Sequence, residues 1–596
     1  MNKLNLEKIN LAERLVNWIH DQLNEKQFLI FSSILVGVSA GLAAVILKTF
    51  VHYIRYYFVE EHAFQFQYHY LYLILPIIGI ALAVFITNRF FKGNIHRGTD
   101  NILFAIAKKS SIISSVQMYS HIITSGLTVG FGGSCGLESP IVSTGSAIGS
   151  NYARRYKLTY RERTLLLAAG AAGGIAGAFN APIAGILFAL EVLLVDISIT
   201  AFIPLLIASA SGALVSKIIL KENILLYFRL KQPFDYHNMP FYIILGLIAG
   251  LVSIYHISVF EKINAMFSRK IKSQWMRIAM AGALLAGLCA LFPTLFGEGY
   301  ESIKSLADMQ FPMLFKDSIF GDHIFNGWNL FLFIVGAMLL KAFAVGITLG
   351  SGGNGGNFAP SLFTGAYLGF AFAFIVRALG FEQVPFSNFI LVSMAGLLCG
   401  VFHAPLTSIF LIAEITGGYE LIIPLMIVSS ISYIVVKYYH PESYEIRKLK
   451  KRGTVVSEDK DTSILAKIKI DSLIERNFIP LQPNEKLRDI VEKIKTSKRN
   501  LFPVVSSSGK LVGIITMDNI KSEMFKQELY DSVIAKELME KPETKIRSTD
   551  DIFEIMKKFE ESGQWNLPVT EKGIYVGFLS KSTILTRYRN ELLASV

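Results

Sequence analysis

The sequence predicts a polytopic α-helical membrane protein with an internal repeat and broken helices, followed by a soluble, duplicated α/β region. Three observations predict it. Residues 27 to 47 are 21 positions without Asp, Glu, Lys or Arg, and residues 69 to 88 are 20 more. Each run matches the roughly 20 apolar residues that cross a bilayer. Glycines and prolines recur at matched spacings in two halves of the apolar region. Finally, the composition changes after Tyr444, where charged residues and strand-like alternation take over.

Composition sets the class. Of 596 residues, 52% are hydrophobic and only 17% charged, against about 25% in soluble chains; mean hydropathy is +0.45. The formal net charge of +12 resides mainly in short clusters between apolar segments. Examples are Arg154-Arg155-Tyr156-Lys157, Arg269-Lys270-Ile271-Lys272 and Arg447 to Arg452. Such clusters fit the positive-inside rule better than a nucleic-acid surface, so membrane lipid is the expected partner and nucleic acid is not. The first apolar run lies behind a polar, helical-looking stretch, Leu4 to Asn24, read as a cytoplasmic N-terminal helix over residues 1–26. It lacks the features of a cleaved signal. Cys135, Cys289 and Cys399 all fall in apolar stretches, with neither metal spacing nor a disulfide framework.

Residues 27–445 form the expected membrane domain, with one repeat over about 27–220 and the other over about 240–445. Several apolar segments are interrupted by Gly and Pro or are too long for a single span, as at 342–376 and 383–413, so helix counting is unreliable. Broken helices are tolerated in a bilayer where the freed backbone faces protein or a wet cavity. Pro140-x4-Gly145-x3-Gly149 matches Pro360-x4-Gly365-x3-Gly369. Phe179-Asn180-Ala181-Pro182 leads to Glu191 over the same interval that takes Phe402-His403-Ala404-Pro405 to Glu414. Paired interruptions of this kind point to a transport site at the repeat interface. An inverted repeat is the expectation, although the spacings do not themselves set the orientation of the halves.

Residues 446–470 are charged and polar and read as a linker. Residues 471–596 carry a strand–turn–strand at Phe502 to Thr516, repeated at Leu567 to Ser580. A helical stretch precedes each, at Leu487 to Thr496 and at Asp551 to Ser562.

Gly132-Gly133-Ser134-Cys135-Gly136-Leu137-Glu138-Ser139-Pro140 is the run with the clearest chemistry. No Asp, Glu, Lys or Arg occurs between Ser110 and Leu137, so Glu138 enters an apolar stretch as a single ionisable group, which marks it as functional. Glycines ahead of a proline break one helix and present N–H groups at the start of the next, where the helix dipole favours anions. A tethered carboxylate would compete with a free anion for those donors. Glu138 is therefore expected to gate an anion path.

These motifs, taken in order, resemble the CLC chloride channels and transporters over essentially all of residues 27–445. Gly136-Leu137-Glu138-Ser139-Pro140 stands where the family usually has Gly-Arg/Lys-Glu-Gly-Pro, and Gly356-Asn357-Phe358-Ala359-Pro360 is its Gly-x-Phe-x-Pro intact. The C-terminal duplication resembles a tandem pair of CBS modules. The resemblance implies a homodimer, with the repeated Phe-x-Ala-Pro helices at its interface and one anion path in each subunit. It implies chloride or a related anion held by backbone N–H groups at Gly356, Asn357 and Phe358 and by the Tyr444 hydroxyl, at the end of the last membrane helix. Partial charges select an anion yet release it, whereas a full cation would trap it. The membrane expected is a bacterial-type plasma membrane, with the CBS modules cytoplasmic.

The sequence departs from the family in three places. The family's Gly-Ser-Gly-Ile-Pro is replaced by His96-Arg97-Gly98-Thr99-Asp100. There Thr99 could supply a hydroxyl, Arg97 could concentrate anions, or Arg97 could simply pair with Asp100, the reading favoured. Val192 occupies the position where coupled exchangers usually carry a proton-relaying acid, while Glu191 and Glu414 read as structural acids. This favours passive, channel-like conduction, with chloride/proton antiport as the alternative. In the CBS pair the usual ribose-binding acid is displaced or absent: Asn519 lies three residues after Thr516, and Thr583 three after Ser580. A structural, dimerising base is then as good a reading as adenine-nucleotide binding, and no other cofactor is expected.

A CBS-regulated cation transporter would need several pore-facing acids for a hard cation; the apolar stretches offer Glu138, Glu191 and Glu414. An enzyme is not expected, since there is no His/Cys metal cluster, no serine elbow, and no Gly-Lys-Ser/Thr after Gly350 to Gly356.

Overall fold

The structure is a computed structural model. It describes residues 22–58, 71–93, 97–194, 199–220, 232–315, 318–320, 327–452 and 470–595, with isolated positions between them. The N-terminal helix expected over residues 1–26 lies mostly outside the described residues, as do much of the expected linker and His96. The chain forms two compact units, Met1–Val456 and Ser457–Val596.

The first unit is helical. Among the described residues, eight helices are long and apolar enough to cross a membrane. Helix α1 (Glu25–Arg55) starts at a capping box between Asn24 and Gln27. There follow α2 (Leu75–Arg89), α3 (Asp100–Lys108) and α4 (Gln117–Gly130), then α5 (Glu138–Arg155), α6 (Tyr160–Phe179), α7 (Pro182–Phe188) and α8 (Ile199–Leu220). The second half contains α9 (Met239–Ala265), α10 (Gln274–Leu291), α11 (Tyr300–Ala307), α12 (Gly327–Gly350), α13 (Phe358–Ala378), α14 (Phe386–Phe402), α15 (Pro405–Ile415), α16 (Ile422–Tyr439) and α17 (Tyr444–Lys450).

The matched glycine spacings have one physical cause in both halves. On α5, a Cβ at Gly145 would collide with the Gly170 carbonyl of α6, and one at Gly149 with the Leu166 carbonyl. On α13, a Cβ at Gly365 would lie 2.8 Å from the Ser393 carbonyl of α14, and one at Gly369 would meet the Phe389 carbonyl. Both helix pairs thus pack backbone to backbone, which only small residues permit.

The breaks repeat as well. Asn180 after α6 and His403 after α14 take left-handed conformations, with φ of 54° and 56°. Ala181 and Ala404 then extend, both at φ −124°, as a residue before proline must. Proline opens the next helix in each case. The apolar segment 383–413 is therefore two helices, and 342–376 is likewise divided, at Ser351 to Asn357.

Two sequence expectations are corrected here. Tyr444 does not end the last long helix. It is the first residue of the short helix α17, capped by Ser443. The linker does not begin at 446, because α17 continues to Lys450. Its basic residues are bonded into the membrane unit, Arg447 to Glu261 at 2.9 Å and Lys448 to Asp100 at 2.8 Å.

In the second unit, helix α18 (Leu487–Thr496) precedes the antiparallel pair β1 (Leu501–Val505) and β2 (Leu511–Thr516). The pattern returns as β3 (Ile546–Arg547), α19 (Ile552–Ser562), β4 (Asn566–Glu571) and β5 (Ile574–Ser580), closed by α20 (Lys581–Ser595). In each copy a parallel pairing precedes the hairpin, Leu481 with Val504 and Ile546 with Val569. Alternating burial on β2 puts Leu511, Gly513 and Ile515 inside.

Candidate functional site: a polar cavity between two helix starts

The two broken segments meet head to head. Gly136 and Gly356 exchange both backbone hydrogen bonds, at 2.9 and 2.8 Å. This short antiparallel bridge sets the first residues of α5 and α13 beside one another. They are Glu138 and Phe358, each two residues ahead of its proline.

The Glu138 carboxylate is 3% exposed. Its Oε1 accepts a hydrogen bond from the Tyr300 hydroxyl. Among the described residues Oε2 has no hydrogen-bond partner, and it lies where a Cβ on Gly136 would sit, so any larger residue there would displace the carboxylate and press on Ala359. The carboxylate also faces the Ala359 amide at the start of α13. The side chain is thus tethered to α5 while its charge sits at the N-terminus of the other repeat's helix, where it is favoured.

The donors differ from those expected of the glycine run. Before α5 the amides are largely spent: Ser134 on Thr348 Oγ1, Cys135 on Gly133, Gly136 on Gly356 and Leu137 on Glu298. Before α13, the amides of Gly355, Asn357 and Phe358 have no protein partner among the described residues. The Asn357 side chain is held away by His256, at 2.9 Å. The Phe358 ring packs among Phe179, Phe188 and Phe402, with centroids 5.6, 6.3 and 5.4 Å away. Its ring is anchored while its amide stays open.

These groups line a cavity of about 190 Å³. Glu138, Gly356, Asn357, Phe358, Arg97, Thr99 and Tyr444 all contribute to it, so the candidate site residues of the membrane domain are brought together. Tyr444 stands edge-on to Phe260 at 5.5 Å. Thr99 lies 3.5 Å from Glu445 Oε1. Asp100 does not pair with Arg97. It is held by Lys448 at 2.8 Å and by Arg452 at 3.1 Å, cations that sequence distance concealed. Among the described residues no carboxylate pairs with Arg97, which borders both this cavity and a wider one of about 780 Å³ that also reaches Lys109, Lys448 and Arg452.

Val192 is half-buried against the apolar core and does not line the cavity. Glu191 and Glu414 form a reciprocal clasp. Glu191 accepts from the Leu406 and Thr407 amides of α15, at 2.9 and 2.8 Å, and from the Thr407 hydroxyl. Glu414 accepts from the Ile183 and Ala184 amides of α7, both at 2.9 Å. Each acid caps the broken helix of the other half.

Sequence reasoning missed Glu298, Tyr300, Glu445 and Lys48. Glu138 is not a solitary charge, because Glu298 and Lys48 act on it electrostatically. Gly297-Glu298-Gly299-Tyr300, an acid between glycines like Gly136 to Glu138, was the signal available. In the second unit the candidate nucleotide residues are bonded locally. Thr516 donates to Asn519 Oδ1 at 2.6 Å in a capping box, and Asn519 donates to Glu540. Ser580 bonds Ser582 at 2.6 Å.

Duplicated, broken membrane helices around a cavity lined by open amides and a carboxylate define a polytopic membrane protein of a transport class. The family follows from comparison with known sequences. Residues 79–437 match the model of the voltage gated chloride channel family, and residues 470–526 and 535–590 each match the CBS domain. The chain belongs to that chloride channel family and carries two CBS domains. It is 29% identical over 358 residues to a putative chloride channel protein ClcB-like of Ralstonia nicotianae, covering 57% of this chain and 76% of that protein. It is 31% identical over 325 residues to the voltage-gated ClC-type chloride channel ClcB of Escherichia coli K12, covering 53% of this chain and 72% of that one. Among solved structures it resembles a slow cyanobacterial Cl⁻/H⁺ antiporter, with TM-score 0.63, 21% identity, and coverage of 72% of this chain and 98% of that chain. It also resembles a eukaryotic CLC transporter, with TM-score 0.61, 17% identity, and coverage of 96% and 98%. At these identities the likeness establishes the fold.

Proposed function

We propose that the protein moves chloride or a related anion across the membrane through a path in each chain, with Glu138 as the gate. The observation that carries this reading is the position of the Glu138 charge, tethered to one helix start and facing the amides of the other. An ionised Glu138 occupies the anion's donors, and protonation or a competing anion displaces it. Asn357 and Phe358 offer their backbone amides and Tyr444 its hydroxyl, whereas the Gly356 amide is already given to the Gly136 carbonyl. Thr99 and Arg97 stand on the wall of the cavity. Arg97, without a carboxylate partner among the described residues, raises the local anion concentration.

Passive, channel-like conduction is the reading favoured by Val192, whose side chain carries no proton. Chloride/proton antiport is the second reading, and a specific observation favours it: a second carboxylate, the half-buried Glu298, stands next to the gate. We further infer a homodimer, with the α7 and α15 helices at its interface, and CBS domains on the cytoplasmic side of a bacterial plasma membrane. The local bonding of Thr516, Asn519 and Ser580 supports a structural base over an adenine-nucleotide site.

The test is purified protein in liposomes, with chloride efflux and pH followed together. Anion selectivity is read by comparing chloride, nitrate and fluoride. Glu138→Gln is expected to conduct without any response to pH in the acid range; retained pH gating would remove Glu138 from this role. Proton uptake in fixed ratio to a chloride gradient would replace the channel reading with the exchanger.

A further inference from the structure

We propose that Glu298 and Lys48 are an opposed pair of charges beside the gate that sets the pH at which Glu138 responds, with Glu298 acting as a positioning residue. This rests on the reading of Glu138 as the gate.

The turn between α10 and α11 grips the Glu138 loop at three points. The Gly297 amide donates to the Gly132 carbonyl at 3.0 Å. Glu298 Oε1 accepts from the Leu137 amide at 3.2 Å, one residue before the gate. The Tyr300 hydroxyl donates to Glu138 itself. Gly297 and Gly299 have φ of 63° and 92°, left-handed values that let the turn aim Glu298 inward. Fully buried Lys341 fixes the turn from behind. It donates to the Gly297 carbonyl at 2.9 Å and lies 4.8 Å from the Phe363 ring centroid. Lys48 of α1, 9% exposed, donates to the Ala178 carbonyl near the end of α6 and acts on both glutamates.

The charged and titratable groups nearest Glu138 and Glu298 on the turn side are Lys48, Lys341, Arg55, Tyr300, Cys135 and Cys289, while Arg97, Asp100, Tyr444, Glu445 and Lys448 share the cavity that Glu138 borders. Arg55 is engaged by Glu301. On the turn side the gate is flanked by one further carboxylate, Glu298, and two lysines, Lys48 and Lys341. A proton on Glu138 removes one negative charge from this set, which favours an anion at the α13 amides. An anion already bound there draws a proton to Glu138. Glu298 and Lys48 bias this exchange in opposite directions. Glu298 restrains the excess positive charge, whereas Lys48 supplies it.

The test is chloride flux through the full-length protein in liposomes as a function of external pH. Glu298→Gln keeps an acceptor for the Leu137 amide and removes only the charge. It is expected to move the midpoint of the pH response downward by about one unit. Lys48→Gln is expected to move it upward by a similar amount, and the double variant to return it near the starting value. A purely structural role would not produce shifts of opposite sign that cancel. Isothermal titration of chloride into Glu298→Gln gives a second reading, with binding about tenfold tighter at neutral pH. Unmoved midpoints, or shifts in the same direction, would overturn the proposal while leaving the gate in place. A persistent pH response in Glu138→Gln would instead overturn the gate reading.

Discussion

The two repeats carry the same frame and differ at its most exposed point. Both have a helix that opens two residues before a proline and packs through glycines onto the next helix. In both, a left-handed residue then breaks the chain, and a second proline leads to an acid. At the opening position the first repeat has Glu138 and the second Phe358. The first helix start brings its own anion, and its preceding amides are consumed within the protein. Among the described residues the second start leaves the Gly355, Asn357 and Phe358 amides without a partner and fixes an uncharged ring in an aromatic nest. The two repeats thus present the same helix-start geometry with a carboxylate at one and an uncharged ring at the other.

Breaking the shared frame should have the largest effect. Gly145→Val and Gly365→Val each drive a side chain into a facing backbone carbonyl, and each is expected to cost about 3 kcal/mol. Thermal unfolding in detergent reads this, and a large effect in one repeat alone would mean that the two frames do not bear load equally. The clasp comes next. Glu191→Ala loses three hydrogen bonds and is expected to cost about 3 kcal/mol, while Glu414→Ala loses two and is expected to cost about 1 kcal/mol less. Equal midpoints would show that the Thr407 hydroxyl adds nothing to the asymmetry. Phe358→Leu keeps the open amide and an apolar side chain, so flux into liposomes should stay within about tenfold of the original; a complete loss would give the ring, rather than the backbone, the anion-holding role.

The smallest effect lies in the C-terminal unit. The hydrogen bond from Arg488 to Asp531, at 2.6 Å, holds the Asp531 carboxyl below its ordinary value. Its contribution is therefore present above the unfolded-chain value of about 3.9 and is lost as pH falls through the lower folded value. The urea midpoints of the protein and of Asp531→Asn should differ by a constant amount from pH 8 to 5 and converge below about 4. A difference that grew on acidification would contradict this sign.

What was legible in the sequence was whatever depends on local backbone. Glycine spacings, proline breaks, the charge-free spans and both C-terminal hairpins follow from short-range sterics and periodicity, and periodicity also places the helix at Leu487 and, within one residue, the helix that Asp551 caps. Glu138 was legible as a candidate because an ionisable group is costly in an apolar chain; Gly356 to Phe358, Arg97, Thr99 and Tyr444 were legible through the family resemblance of their motifs. Their surroundings were not legible. Glu298 pairs with an amide 161 positions away in sequence, Lys448 with Asp100 across 348, and Glu191 with Thr407 across 216. No local pattern encodes such partners, so Arg97 was matched to the nearest acid and Glu138 was taken to be alone. The chain around Tyr444 misled for a related reason. Its charges resemble a linker until Arg447 and Lys448 find partners in helices α9 and α3.

The reciprocal clasp has a consequence for how this molecule can be assembled. A chain released after α8 holds Glu191 with nothing to receive it and an α7 start with no carboxylate over its amides. Neither half is a finished object, so synthesis must hold the first in an unsatisfied state until the second arrives. Two halves made as separate polypeptides should gain stability only when they meet in the same bilayer.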